Sequence, residues 1–135
     1  MARVLLLVPS ATYRVGDFLE AARTLGVDVV IAGDEPQAMG DLMGRRSLQV
    51  PMDDPAAAAR LIVAHDGGLP VDAVIAIDDR GAVAAAAASQ QLGLRHNPPE
   101  SVAATRDKLV MRIRLAAAEV AQPGFAALPL DADDD

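Results

Sequence analysis

Cysteine and tryptophan are absent from this chain, and only Tyr13, Phe18 and Phe125 are aromatic among its 135 residues. Without cysteine there is no disulfide framework and no thiolate nucleophile. Histidine is almost as scarce. His65 and His96 have no neighbouring ligand set, so a zinc site lacks its raw material, and both read as ordinary surface or helix-end residues. Basic charge is in deficit: 12 Lys and Arg face 19 Asp and Glu, a net charge of -7. That balance repels nucleic-acid phosphates and offers nothing to anionic lipid, so neither nucleic acid nor membrane is an expected partner. Apolar runs such as Val4 to Val8 fall far short of the roughly 20 residues a membrane span needs. No signal peptide is recognisable either, because the apolar stretch is short and flanked only by Arg3. The expected compartment is the cytoplasm.

What remains is a chain that is 52% hydrophobic, with a core that must be assembled from Ala, Val, Leu and Ile. Its length suits one domain, burying roughly two-thirds of the surface its unfolded chain exposes. Ala2 to Val8, Val27 to Ala32 and Val71 to Ile77 are apolar runs of the kind expected from strands buried on both faces, with a shorter strand near Ser47 to Val50. Val15 to Leu25 places Phe18, Leu19, Ala22 and Leu25 at helical spacing before Gly26, a natural stop. Asp54-Pro55 opens a second helix that continues through Ala58, Leu61, Ile62 and His65 to Gly67-Gly68. Gly81 to Leu92 is a third, slim enough through Ala84 to Ala88 to lie tightly on a sheet. Strand and helix alternate, which predicts an α/β fold with a doubly wound parallel sheet and helices on both faces. The acidic tail Asp131 to Asp135 is expected to be disordered.

In such sheets ligands bind beyond the carboxyl ends of the strands. This singles out the loops Pro9 to Arg14, Gly33 to Pro36 and Asp78 to Gly81. The first contains no glycine until Gly16 and therefore lacks the G-x-G-x-x-G that lets backbone approach a pyrophosphate. Its Ser10, Thr12, Tyr13 and Arg14 supply hydroxyls and a cation suited to a polar or carboxylate-bearing small molecule, or else simply cap the first helix. Asp34 reads as a helix cap before Pro36. Asp78, Asp79 and Arg80 bring two carboxylates and a guanidinium to a strand end, where they read either as contacts to a substrate or metal or as caps of the following helix. A phosphoreceiver would need acids after the first strand, and Pro9-Ser10 supplies none.

Asn97-Pro98-Pro99-Glu100 reads as a helix start, with Asn97 capping, Pro98 in the first turn and Glu100 able to reach back. Lys108 is less easily explained. A cation near a helix start opposes the macrodipole, so either Asp107 neutralises it or an anionic ligand reverses the sign of the effect.

The glycine-poor α/β start, Asp78-Asp79-Arg80-Gly81 with its alanine helix, Leu92-Gly93-Leu94, Asn97-Pro98-Pro99, and Arg106-Asp107-Lys108 with Met111 together resemble the N-terminal domain of ATP-grasp carboxylate-amine ligases. The likeness spans nearly the whole chain and is most specific from Asn97 to Pro123. It implies a Rossmann-like pre-ATP-grasp domain over residues 1–122, linker helix included. Residues 123–135 would begin the connection to a missing C-terminal ATP-grasp domain. In the parent enzyme ATP and Mg2+ would activate a carboxylate as an acylphosphate for attack by an amine. Lys108 matches the family lysine that reaches toward the nucleotide. Ser10, Thr12, Tyr13, Arg14, Asp78, Asp79 and Arg80 lie in the loops that help enclose a small-molecule carboxylate or amine substrate. The nucleotide-clamping lysines, base-binding hinge and magnesium ligands would lie beyond Asp135, so neither catalysis nor tight cofactor binding is expected of this chain alone. Loss of the partner domain would bare an apolar surface around Val110 to Ala118 and favour a homo-oligomer. The other reading is a free-standing Rossmann-like module that binds a small molecule or another protein.

Overall fold

The computed structural model describes residues 1–36 and 44–128. Four strands, β1 (Arg3–Val8), β2 (Asp28–Gly33), β3 (Ser47–Gln49) and β4 (Ala73–Ala76), form an all-parallel sheet in the order β3-β2-β1-β4. The register runs from Arg3 opposite Asp28 to Val8 opposite Gly33, and Val4 to Leu7 lie opposite Ala73 to Ala76. β1 and β2 are buried through their last four residues, as expected of strands with a layer on each side. The helices are α1 (Val15–Leu25), α2 (Pro55–Asp66), α3 (Ala82–Gln91), α4 (Pro99–Arg106) and α5 (Lys108–Ala117). Residues 37–43, between β2 and β3, and residues 129–135, which include the acidic tail, are the remainder of the chain and lie outside the described residues.

One face of the sheet carries Leu5, Leu7, Val30 and Ala32, packed against Ala58, Ala59 and Ile62 of α2 and Ala84, Ala85 and Ala88 of α3. Alanine-lined faces let these helices approach the sheet and each other closely, which is how a core almost without aromatics is filled. Leu6, Val8, Ile31 and Ile77 occupy the opposite face, met by Val15 and Phe18 of α1. Helices thus lie on both faces, and the chain belongs to the doubly wound, Rossmann-like class. α1 covers its side lightly, since none of its residues is buried and Leu25 is exposed.

Local chemistry sets the helix ends. Gly26 adopts φ 65°, and the Gly26 and Val27 amides return to the Arg23 and Ala22 carbonyls, closing α1 with a left-handed turn that glycine accepts without strain. Asp54 accepts from the Ala57 amide at 3.0 Å, with Pro55 in the first turn of α2. The expected Asn97 cap is corrected. Pro98 occupies the cap position at φ -53°, ψ 133°, Pro99 starts α4, and Asn97 stands one residue too early to cap it. The linker region holds two helices, α4 and α5. Asp107 is extended, at φ -112°, ψ 107°, and accepts from the Leu109 and Val110 amides at 2.9 and 3.0 Å, opening α5. On α5, Leu109, Val110 and Ile113 are exposed.

The amino ends of the strands are tied by charge. Arg3 donates from Nε to Asp28 at 2.8 Å, from Nη1 to the Pro70 carbonyl at 2.9 Å and from its amide to Asp72 at 2.7 Å, while Arg46 pairs with Asp28 at 3.2 Å. The Arg3 hydrogen bond above all holds the Asp28 carboxyl below its usual range. Burial opposes it, and the Arg46 and Arg3 charges and the Val29 amide assist.

Candidate functional site

α1 leaves β1 on one face of the sheet and α3 follows β4 on the other, so the neighbours β1 and β4 mark the topological switch point. A crevice at their carboxyl ends is the position where open α/β sheets receive ligands. Three of the loops there are joined by one carboxylate. The Ser10 amide donates to Asp34 Oδ1 at 2.7 Å, and Arg80 Nη1 donates to Asp34 Oδ2 at 2.5 Å. Ser10 Oγ stands 3.4 Å from the same carboxylate, and Gln49 Nε2 donates to the Asp34 carbonyl at 3.3 Å. Asp34 is therefore not simply a helix cap: its carboxylate is taken up by partners from two other strand ends.

Arg80 has a second partner that sequence reading did not name. Its Nη2 and Nε lie 2.9 and 3.3 Å from the two oxygens of Asp53, in the loop that leads from β3 into α2. The Arg80 hydrogen bond and then its charge hold the Asp53 carboxyl below the usual range, against slight desolvation, and Arg106 adds a smaller push in the same direction. Reciprocally, Asp53 first and then Asp34 favour the charged guanidinium of Arg80.

The remaining residues of the loops are placed unequally. Asp78 Oδ1 accepts from the Arg80 amide at 3.0 Å and caps the 3-10 turn Asp79–Gly81 that precedes α3. Asp79 is exposed at the start of that turn. Gly81 is buried where a Cβ would stand 3.0 Å from Leu7 Cβ and 3.3 Å from Ala76 Cβ, so the turn rests directly on β1 and β4. In the first loop, the Thr12 amide donates to the Pro9 carbonyl, and Thr12 Oγ1 accepts from the Arg14 amide at 3.4 Å. Arg14 holds the cap position of α1 without a side-chain capping bond, and its guanidinium lies 5.8 Å from the Phe18 ring centroid, a cation-π placement. Tyr13 is 94% exposed. Lys108 begins α5 directly after the Asp107 cap. Ser10 and Arg80 thus come together through Asp34, and Asp78 joins them through the Arg80 amide, whereas the Tyr13 and Arg14 side chains take no part in those hydrogen bonds.

Residues 19–96 match the model of the ATP-grasp N-terminal domain. The chain belongs to that family. The match takes in Asp34, Asp53 and Asp78 to Arg80, begins after the Ser10 to Arg14 loop and ends before Lys108. A similar fold is seen in an L-amino acid ligase from Bacillus licheniformis, with TM-score 0.72 and 17% identity over 91% of this chain and 32% of that one. A phosphoribosylglycinamide synthetase from Anaerococcus prevotii is similar at TM-score 0.63 and 17% identity, over 87% of this chain and 29% of its own. The chain therefore spans about a third of the length of these solved structures. No curated protein sequence matches it.

ATP and Mg2+ are the cofactors this family implies for complete enzymes. Among the described residues, no group of three His, Cys, Asp or Glu side chains is arranged to hold a metal ion. At this end of the sheet Asp34 and Asp53 are both engaged by Arg80. The donor set of this end of the sheet does not fit a resident Mg2+. No helix of the described residues is long and apolar enough to cross a membrane.

Proposed function

We propose that this chain is the substrate-side domain of an ATP-dependent ligase that joins a carboxylate to an amine through an acylphosphate, and that it is not catalytic alone. The family match over residues 19–96 is the observation that carries this reading. In it, residues 1–122 form the pre-ATP-grasp unit and 123–135 begin the connection to an ATP-grasp domain that supplies the nucleotide and metal chemistry. The Ser10 to Arg14 and Asp78 to Arg80 loops form one wall of the small-molecule site. Asp34 holds Ser10 and Arg80 at fixed separation, so that wall is organised before substrate arrives. Lys108 extends from the first turn of α5 toward the nucleotide phosphates.

The test is turnover. Rigorously purified chain incubated with ATP, Mg2+ and mixed amino acids should release no ADP or phosphate, since phosphoryl transfer depends on positioned metal and cationic groups supplied elsewhere. Turnover that persists and disappears on Asp78→Ala or Lys108→Ala would overturn the reading.

A further inference from the structure

The two edges of the Arg80 guanidinium are in different situations. Its Nη1 is fixed from within by Asp34, whose side chain is only 11% exposed and is itself held by the Ser10 amide. The backbone on which it stands is held by the Asp78 cap and by the close seat of Gly81 on Leu7. The Nε and Nη2 edge points outward to Asp53, whose side chain is 81% exposed. The hydrogen bonds of the Asp53 carboxylate, among the described residues, are those to Arg80. An edge of two parallel N–H donors is the arrangement by which a guanidinium recognises a planar carboxylate.

We propose that this outer edge of Arg80 is the seat of a substrate carboxylate, and that Asp53 is its internal, displaceable occupant. The proposal rests on the ligase reading and names the chemical class received at this wall. A carboxylate entering the crevice takes the two N–H groups that Asp53 now uses, and Asp53 turns into water, where an exposed carboxylate is well solvated. Asp34 keeps its hold on Nη1, so the guanidinium does not move with the exchange. An ammonium group would instead have to compete with Arg80 for its own partners, which selects carboxylate over amine at this point.

The probe is acetate, titrated against chloride at constant ionic strength into the 15N-labelled 135-residue chain at pH 7 and followed by amide NMR. Saturable shifts are expected at residue 53, at residues 78–81 and at Ser10. Asp53→Asn should bind acetate about 2- to 5-fold more tightly, the range set by the modest strength of an exposed ion pair. Glu35→Gln, which removes the same charge from the loop after β2 and whose side chain makes no hydrogen bond to the network among the described residues, should tighten binding by less than about twofold. Arg80→Gln should abolish the saturable shifts. If Arg80→Gln fails to fold, the comparison of Asp53→Asn with Glu35→Gln still decides. No saturable shift in either the unaltered chain or Asp53→Asn, or equal tightening in the two charge variants, would reduce the Asp53–Arg80 contact to a surface ion pair and overturn the proposal. The ligase reading would stand or fall separately, on ATP turnover by the chain.

Discussion

Arg80 reaches back 46 residues to place its Nη1 on Asp34, whose other oxygen takes the Ser10 amide at 2.7 Å. One carboxylate thereby joins the ends of β1, β2 and β4 around the switch point. Asp34→Ala should cost about 1 to 3 kcal/mol of folding stability, the usual cost of leaving partly buried donors without an acceptor. Asp34→Asn, which keeps one carbonyl oxygen, should cost less. Denaturant unfolding of the two variants checks the order. Equal and negligible losses would mean that the Ser10 and Arg80 donors are satisfied by water.

Gly81→Ala should also destabilise the chain, although its backbone lies in an ordinary region at φ -88°. The reason is space: the new Cβ would meet Leu7 Cβ at 3.0 Å, and neither atom sits at the end of a flexible side chain. Overpacking of this kind costs about 1 to 3 kcal/mol. A melting temperature lowered by several degrees is expected, with amide shifts at Arg80 as the 3-10 turn lifts from the sheet. An unchanged melting temperature would show that the turn rises freely.

At the opposite end of the sheet, Asp28 supplies a pH test. Its carboxyl is held below the usual range, chiefly by the Arg3 hydrogen bond. A depressed folded value means that its stabilisation is complete above the unfolded value, about 3.9, and is lost as pH falls through the folded one. The stability gap between the unaltered chain and Asp28→Asn should therefore be constant above about pH 5 and shrink below about pH 4. Denaturant midpoints measured across that range test it. A gap that does not change on acidification would separate Asp28 from the acid response.

The architecture was legible because parallel strands buried on both faces leave continuous apolar runs, and β1 and β2 fall within one residue of their expected limits. Asp54-Pro55 and Gly26 marked helix ends through purely local chemistry, and such signals carry over directly into structure. The tandem prolines did not. A residue before proline is driven from the helical region, so Pro99 forces Pro98 into an extended conformation and pushes Asn97 out of the cap position. Asp107 beside Lys108 looked like a neutralising pair, yet its short side chain could capture two amides and split the linker. Asp34 and Asp53 were less accessible still. Each looks locally like a loop or cap acid, and only the crossover that places β4 beside β1 brings Arg80 to both.

In the proposed ligase this domain forms the substrate side, and Lys108 turns toward the nucleotide. The most direct measurement compares ATP KM and melting temperature for Lys108→Ala in a ligase carrying this chain ahead of an ATP-grasp domain. Lys108 opens a helix against the macrodipole, so its removal should leave the melting temperature unchanged or slightly raised. Loss of a charge-assisted phosphate contact should raise the ATP KM roughly 10- to 150-fold. A melting temperature lowered by several degrees, with ATP KM unchanged, would make Lys108 a structural residue and contradict the account.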